Sequence, residues 1–225
     1  MATIASGCEI GLSAPGRLTW RAWPAAILCL WGSGVVGAFL WVVAYDLKPS
    51  APTAPPRQWP QASALDRSSR GPTLIMFVHP HCPCTMASLD ELQRIAERYA
   101  SSVKIDIVVV QPADLKGRVR ESRSWKAAAG IKSANLQLDR DGAEARLFAA
   151  ATSGFTVLYD QHGKLIFSGG LTGARGHYGA NPNSAAAVAA IAQHSEENSA
   201  PVFGCDLFTP GACCLTPTKH NETSR

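Results

Sequence analysis

The chain of 225 residues is long enough for one ordinary globular domain with additional segments at its ends. Its net charge of +4 is mild, and no stripe of basic residues alternates with aromatic ones. The sequence therefore gives no support for nucleic acid as a partner. Seven cysteines are too few for a disulfide scaffold of this length, so their positions carry more information than their number.

An uncharged apolar segment lies near the N-terminus. Residues 25–45 carry no charged side chain, and a transmembrane helix needs about 20 apolar residues. Because Arg17 and Arg21 precede this segment, residues 1–24 are expected in the cytoplasm. We predict a single-pass anchor in the inner (cytoplasmic) membrane, with the C-terminal domain in the periplasm or outside the cell. A cleaved signal peptide is the alternative, for which Val42–Ala44 could serve as the cleavage site.

Prolines dominate the segment that follows, residues 46–72. They are Pro49, Pro52, Pro55, Pro56 and Pro60 in its first half, with Pro72 at its end. Such a composition favours extended polyproline II structure. We predict a linker that holds the folded domain away from the membrane.

Strands and helices are predicted to alternate over residues 73–198. Residues 74–78 are an apolar run typical of a strand buried on both faces, and apolar residues spaced by three and four up to Tyr99 predict the first helix. The other predicted elements are a strand at 103–110, a surface helix at 114–129, a short strand at 136–138, a short helix at 144–151, a hairpin with strands at 155–159 and 164–168, and a helix at 184–194 capped by Ser184. This order predicts an α/β fold in which helices cover a mixed sheet.

Cys82 and Cys84 lie at the junction between the first strand and the first helix. Backbone N–H groups and the positive end of the helix dipole stabilise a thiolate at such a place. We therefore predict Cys82 as the nucleophile, with His81 beside it favouring the thiolate, and Cys84 as the resolving thiol. Because only Pro83 separates the two cysteines, a disulfide between them would close a small ring and be readily reduced. An inert structural disulfide is the alternative, although so short a loop would stabilise little.

This element order, with a cysteine pair after the first strand, resembles the thioredoxin-like superfamily over roughly residues 72–195. It is most similar to the membrane-tethered periplasmic thiol–disulfide oxidoreductases, and the stretches HPHCPC and GGLTGARGH also resemble the branch labelled RedB. The resemblance implies thiol–disulfide exchange with protein substrates. No cofactor is favoured for this reaction. Two features depart from the family pattern: the cysteine spacing is C-x-C rather than C-x-x-C, and Gly154 stands where a cis-proline usually faces the cysteines. That proline normally shapes the substrate groove and keeps metals from the cysteine pair.

The cysteine segment also suits a metal. Two imidazoles lie close to the two thiolates, and sulfur ligands favour Cu(I) or zinc. A histidine in a late loop resembles the copper-delivery branch of the same superfamily. A copper or other metal-binding or delivery protein is therefore the alternative function. Its candidate ligands are Cys82, Cys84, His79, His81 and His177.

The tail, residues 199–225, contains Cys205, Cys213 and Cys214. Its Pro, Gly and Thr content argues against regular structure. The adjacent Cys213 and Cys214 are poorly placed to bridge each other, so Cys205 with one of them could staple the tail. Alternatively, the tail could carry electrons to the pair at 82 and 84 as a second redox site.

Other activities have less support in the sequence. There is no phosphate loop, no Ser-His-Asp order and no HExxH motif. A thiol peroxidase would also start from an activated cysteine at a helix start, but no matching motif is found. A non-catalytic interaction module is the other alternative, because a fold does not by itself imply an activity.

Overall fold

The computed structural model describes residues 22–111, 119–193 and 198–208. The chain forms two compact units, one ending at Ala44 and the other beginning at Tyr45. Helix α1, Ala22–Asp46, contains the apolar segment expected at 25–45. It is the one helix among the described residues that is long and apolar enough to cross a membrane, a property that a signal sequence would share.

The second unit is a six-stranded mixed sheet with helices packed on it. Its elements are β1 (Thr73–Val78), α2 (Thr85–Tyr99), β2 (Lys104–Gln111), a 3-10 turn (Val119–Glu121), α3 (Arg123–Gly130), β3 (Ala134–Arg140), α4 (Ala143–Leu147), β4 (Thr156–Tyr159), β5 (Leu165–Gly169), α5 (Pro182–Gln193) and β6 (Asn198–Ser199). The strand order is β3-β2-β1-β4-β5-β6, with β1, β2 and β3 mutually parallel and β4 antiparallel to both β1 and β5. The expected fold class, a mixed sheet flanked by helices and preceded by one apolar helix, is confirmed.

The central strand β1 contributes to two cores. Leu74, Met76 and Val78 face a cluster that includes residues of α2, α3 and α5, whereas Ile75 and Phe77 face a cluster that includes α4. This alternation follows from the two-residue period of a strand. Because the whole of β1 is buried, the residues at its C-terminal end are held firmly between two packed layers.

The proline-rich segment, residues 46–72, packs along the folded unit instead of extending away from it. The N–H of Trp59 donates to the carbonyl of Gly163 at 2.8 Å, and the Trp59 ring meets that of Phe148 edge to face with centroids 5.3 Å apart. Leu65 is only 4% exposed. The expectation of a free spacer was therefore wrong for this segment, because apolar side chains between the prolines are buried against the sheet.

The start of α5 differs from the predicted one. The helix begins at Pro182, and the side-chain oxygen of Asn181 accepts the N–H of Ser184 at 3.0 Å. Asn181 is thus the cap and proline takes the first helical position, where its missing N–H costs nothing. The surface helix expected at 114–129 falls partly outside the described residues, and its described part contains the 3-10 turn and α3.

Candidate functional site

Cys82 and Cys84 lie in the turn that joins β1 to α2. The N–H of Cys82 donates to the carbonyl of His79 at 3.3 Å, and the N–H of Ala87 donates to the carbonyl of Cys84 at 3.2 Å. Cys84 is the N-cap residue of α2, but its side chain makes no capping hydrogen bond. The Cys84 thiol is therefore available to its neighbour, and the positive end of the α2 dipole lies at the cysteine pair.

The two thiols differ strongly in acidity. Hydrogen bonding from Cys84, against the opposing effect of burial, lowers the pKa of Cys82 from 9.0 to about 5, with further hydrogen bonds from Thr85 and from the backbone of Cys205. The same bond with Cys82, together with burial, raises the pKa of Cys84 above its ordinary value, while Arg175 acts in the opposite direction. At neutral pH the pair therefore holds one thiolate, on Cys82, and one proton, on Cys84. This is the ionisation state that a nucleophile and a resolving thiol need.

Ser153 connects the elements around the cysteine pair. Its hydroxyl oxygen accepts the N–H of His79 at 2.8 Å and lies 2.6 Å from the hydroxyl oxygen of Thr85. The buried side chain of Ser153, in the loop before β4, thus hydrogen-bonds both the end of β1 and the start of α2. Sequence reasoning missed this residue, since nothing in its local pattern marks it.

Gly154 lies in the same loop, with φ +88°. Its N–H donates to the carbonyl of Phe77 at 2.8 Å, and a Cβ atom at this position would lie 3.0 Å from the hydroxyl oxygen of Ser88 in α2. Glycine adopts a positive φ without strain, whereas proline has a fixed negative φ and no N–H to donate. The positive φ and the hydrogen bond of its N–H therefore explain why glycine, and not proline, occupies position 154.

Residues 203–207, here called the tail segment, pair with the loop before β4. The N–H of Ser153 donates to the carbonyl of Cys205, and the N–H of Leu207 donates to the carbonyl of Ala151, both at 2.8 Å. These two bonds fix the backbone at Cys205 and at Leu207. The first part of the tail is thus ordered by backbone pairing, against the expectation from its composition.

The tail segment brings a third cysteine to the site. The Sγ atom of Cys205 lies 3.1 Å from the Sγ atom of Cys82. Cys205 is disulfide-bonded, whereas Cys82 and Cys84 are free. A disulfide sulfur therefore lies in contact with the more acidic thiol of the pair. Cys213 and Cys214 lie outside the described residues.

Arg175 is a second residue that the sequence did not single out. Its guanidinium donates to the carbonyl of Gly204 and lies over the ring of Tyr45, 5.0 Å from the centroid. It also interacts with the thiol of Cys84. Arg175 could have been found as the single charged residue between 169 and 183. In that stretch only His177 was predicted from the sequence as a site residue.

The predicted metal ligands are brought together only in part. His79 is buried and its Nδ1 atom accepts the N–H of His81 at 3.2 Å, while the side chains of His81 and His177 are exposed. In the portions of the chain that the structure describes, no group of three or more His, Cys, Asp or Glu side chains could hold a metal ion. The copper or zinc site stays a prediction.

A cleft of about 450 Å³ opens beside the cysteine turn. Its lining includes His81, Cys82, Pro83, Arg123 and Tyr178. The volume is within the ordinary range of ligand sites, about 300–1,000 Å³. His81 and Pro83 therefore face an open space next to the thiols.

Comparison with solved structures is consistent with this architecture. The chain is similar to a hypothetical protein of Sinorhizobium meliloti, with 19% identity and a TM-score of 0.56 over 73% of this chain and 100% of that chain. It is similar to an uncharacterized conserved protein of Geobacillus kaustophilus, with 20% identity and a TM-score of 0.54 over 73% of this chain and 94% of that one. It is also similar to the exposed lipoprotein thioredoxin of Streptococcus pneumoniae, with 18% identity and a TM-score of 0.40 over 56% of this chain and 86% of that one. No protein-family model and no curated protein matches the sequence. The first two similarities show a shared fold.

Proposed function

We propose that this chain is an extracytoplasmic thiol–disulfide oxidoreductase that acts on protein thiols through Cys82 and Cys84. The observation that carries the proposal is the position of the cysteine pair in the turn before α2, with Cys84 as its N-cap residue. There the interaction of the two thiols lowers the pKa of Cys82 to about 5 and raises that of Cys84. A thiolate is the attacking species in disulfide exchange. The protonated Cys84 stabilises that thiolate until the resolving step requires it.

The reaction proceeds in two exchanges. The Cys82 thiolate attacks one sulfur of a substrate disulfide, which forms a mixed disulfide and releases the other substrate sulfur as a thiolate. Cys84 then loses its proton and attacks the Sγ atom of Cys82, which leaves a Cys82–Cys84 disulfide and a reduced substrate. The reverse sequence oxidises a substrate dithiol.

The direction of net electron flow follows from the stability of the reduced pair. Because the Cys82 thiolate is stabilised, the reduced form is favoured and the disulfide is a strong oxidant. We expect a reduction potential above that of thioredoxin, about −270 mV.

The proposed location is the cytoplasmic membrane, with α1 as a single-pass anchor. Arg17 and Arg21 precede the helix and favour a cytoplasmic N-terminus, so that the sheet would lie in the periplasm or outside the cell. The disulfide at Cys205 supports an oxidising compartment.

The proposal is tested in a Cys205→Ser background, so that the tail sulfur takes no part. The variant that also carries Cys84→Ser should form a mixed disulfide on Cys82 with a peptide that contains one disulfide, and the matched Cys82→Ser variant should not. If mass spectrometry detects no Cys82 adduct, the exchange function is contradicted. Stoichiometric copper or zinc after anaerobic purification, lost when Cys82 and Cys84 are replaced together, would support the metal-binding alternative instead.

A further inference from the structure

We propose that the disulfide at Cys205 is a resident redox partner of Cys82, through which the Cys82–Cys84 pair exchanges electrons with protein dithiols. The inference rests on the proposed function, since it takes Cys82 as the attacking thiol. It is carried by the 3.1 Å contact between the Sγ atoms of Cys82 and Cys205, one of them free and the other in a disulfide.

Accessibility distinguishes the two sulfurs. Cys82 is only 1% exposed, whereas Cys205 is half-buried. Exchange requires that the attacking sulfur reach the disulfide sulfur along the axis of the bond that breaks. While the tail segment is docked, Cys205 is therefore the more exposed of the two sulfurs, and the disulfide in contact with Cys82 is that of the tail. Cys82 also lines the cleft beside the cysteine turn, through which a small disulfide can approach it.

The backbone of the tail segment packs closely against the loop before β4. Backbone hydrogen bonds hold the carbonyl of Cys205 and the N–H of Leu207, and Leu207 is fully buried. At Gly204, a Cβ atom would lie 2.0 Å from the carbonyl oxygen of Ser153, so only glycine lets the two backbones come this close. The guanidinium of Arg175 binds the carbonyl of Gly204 from another side. Such fixed placement of two reacting sulfurs converts their encounter into an intramolecular step.

The transfer balances without any further reactant. The Cys82 thiolate attacks the Sγ atom of Cys205, forming a Cys82–Cys205 bond, and the bond between Cys205 and its partner breaks. The electron pair of that bond leaves with the partner sulfur, which takes up a proton. Cys84 then gives up its proton and attacks Cys82, which releases the Cys205 thiolate. The pair at 82 and 84 is oxidised by two electrons, and the tail disulfide is reduced to two thiols.

The other end of the tail disulfide follows from elimination and the sequence. Cys29, Cys82 and Cys84 are free, so the partner is not among them. Of the remaining cysteines, Cys8 precedes the proposed anchor, and the sequence therefore predicts Cys213 or Cys214. The exchange is reversible, and the stabilised Cys82 thiolate favours the reverse direction, in which a reduced tail pair passes two electrons to the Cys82–Cys84 disulfide. The tail disulfide formed in this way is then reduced by a protein dithiol, which becomes a disulfide.

The decisive experiment traps the intermediate in the full chain. In Cys84→Ser protein the resolving thiol is missing, and N-ethylmaleimide blocks the thiol released from the tail disulfide. Peptide mapping by mass spectrometry should then find a Cys82–Cys205 linked peptide, which a Cys82→Ser variant cannot form. Adding Gly204→Ala should lower its rate of formation at least about tenfold by displacing the tail backbone. The matched Gly130→Ala substitution, where a Cβ meets nothing within 4 Å, should leave the rate unchanged.

Glutathione disulfide as an added probe separates the two proposals. If no linked peptide forms while Cys82 still accepts glutathione, the tail relay is overturned and the exchange function stands. If Cys82 gives neither product, both are overturned. A linked peptide that forms at the same rate with and without Gly204→Ala would overturn the role assigned to docking of the tail segment.

Discussion

The hydroxyl oxygens of Thr85 and Ser153 lie 2.6 Å apart beside the buried Cys82. Thr85 also hydrogen-bonds the Cys82 thiolate through its side chain and its N–H, and the backbone N–H of Ser153 holds the carbonyl of Cys205. Thr85 and Ser153 therefore link the acidity of the nucleophile, through their side chains, to the placement of the sulfur that it would attack, through the backbone of Ser153.

Replacing Thr85 by valine is expected to raise the pKa of Cys82 above about 5, because valine keeps the shape of the side chain but donates no hydrogen bond to the thiolate. The ultraviolet absorbance of the thiolate, titrated in a Cys205→Ser background, measures the change. Ser153→Ala is the control, since it removes the partner of Thr85 without removing a donor to Cys82. An unchanged titration in the valine variant would show that Thr85 has no part in the acidity of Cys82.

Stability should depend on pH through the same thiol. The pKa of Cys82 is about 5 in the folded protein and 9.0 ordinarily, so ionisation stabilises the folded state. This contribution is fully present above pH 9 and is lost as the pH falls through about 5. The raised pKa of Cys84 acts oppositely, because above pH 9 its thiol ionises more readily in the unfolded chain.

Denaturant unfolding of the Cys205→Ser protein, with and without Cys82→Ser, isolates this term. The free energy of unfolding of the protein that retains Cys82 should rise, relative to the other, as the pH increases from about 5 to 9. A difference that is constant over this range would mean that the pKa of Cys82 is the same in both states.

Sequence patterns predicted those parts of the molecule that depend on neighbours along the chain. The apolar run of β1, the helical spacing of α2 and the turn at Asp160–Gly163 are local signals, and the structure has a strand, a helix and a hairpin there. The placement of Cys82 and Cys84 between β1 and α2 follows from the same signals. The start of α5 differed by two residues because its cap, Asn181, was not recognised. Other errors were larger: the helix expected to reach residue 151 ends at Leu147, and α3 begins only at Arg123.

The remaining features depend on contacts between distant segments. Trp59 packs on Phe148, and Cys205 reaches Cys82 across 123 positions. The composition of the segments that contain Trp59 and Cys205 shows only that they are rich in proline or glycine. It gives an average polarity and does not show which few side chains pack against the folded unit. Likewise, nothing in the loop sequence tells that Arg175 rather than His177 reaches the cysteine pair.

Arg175 is expected to speed the resolving step, because its positive charge lowers the pKa of Cys84, which must ionise before it attacks Cys82. In a Cys205→Ser background, Arg175→Gln should slow the conversion of a Cys82–glutathione mixed disulfide to the Cys82–Cys84 disulfide several-fold, because a smaller fraction of Cys84 is then ionised. Stopped alkylation and mass spectrometry follow the conversion. Arg123→Gln changes a charge in the neighbouring cleft and should leave the rate unaltered. Equal rates in the two variants would show that Arg175 does not assist the ionisation of Cys84 and that its role is to bind the carbonyl of Gly204.

Gly154 provides a test of the loop that faces the cysteines. Gly154→Pro would introduce the residue typical of thioredoxin-like proteins, yet here it would lose the 2.8 Å bond to the carbonyl of Phe77 and could not adopt φ +88°. We expect a loss of about 3 kcal/mol or more in the free energy of unfolding. Gly154→Ala should lose about 1–2 kcal/mol through backbone strain and the approach to Ser88. Gly173→Ala, whose Cβ would make an ordinary contact at 3.4 Å, should stay within about 0.5 kcal/mol. Denaturant unfolding of the full chain in detergent measures all three, and a proline variant as stable as the parent would mean that this loop can take the conformation usual in that superfamily.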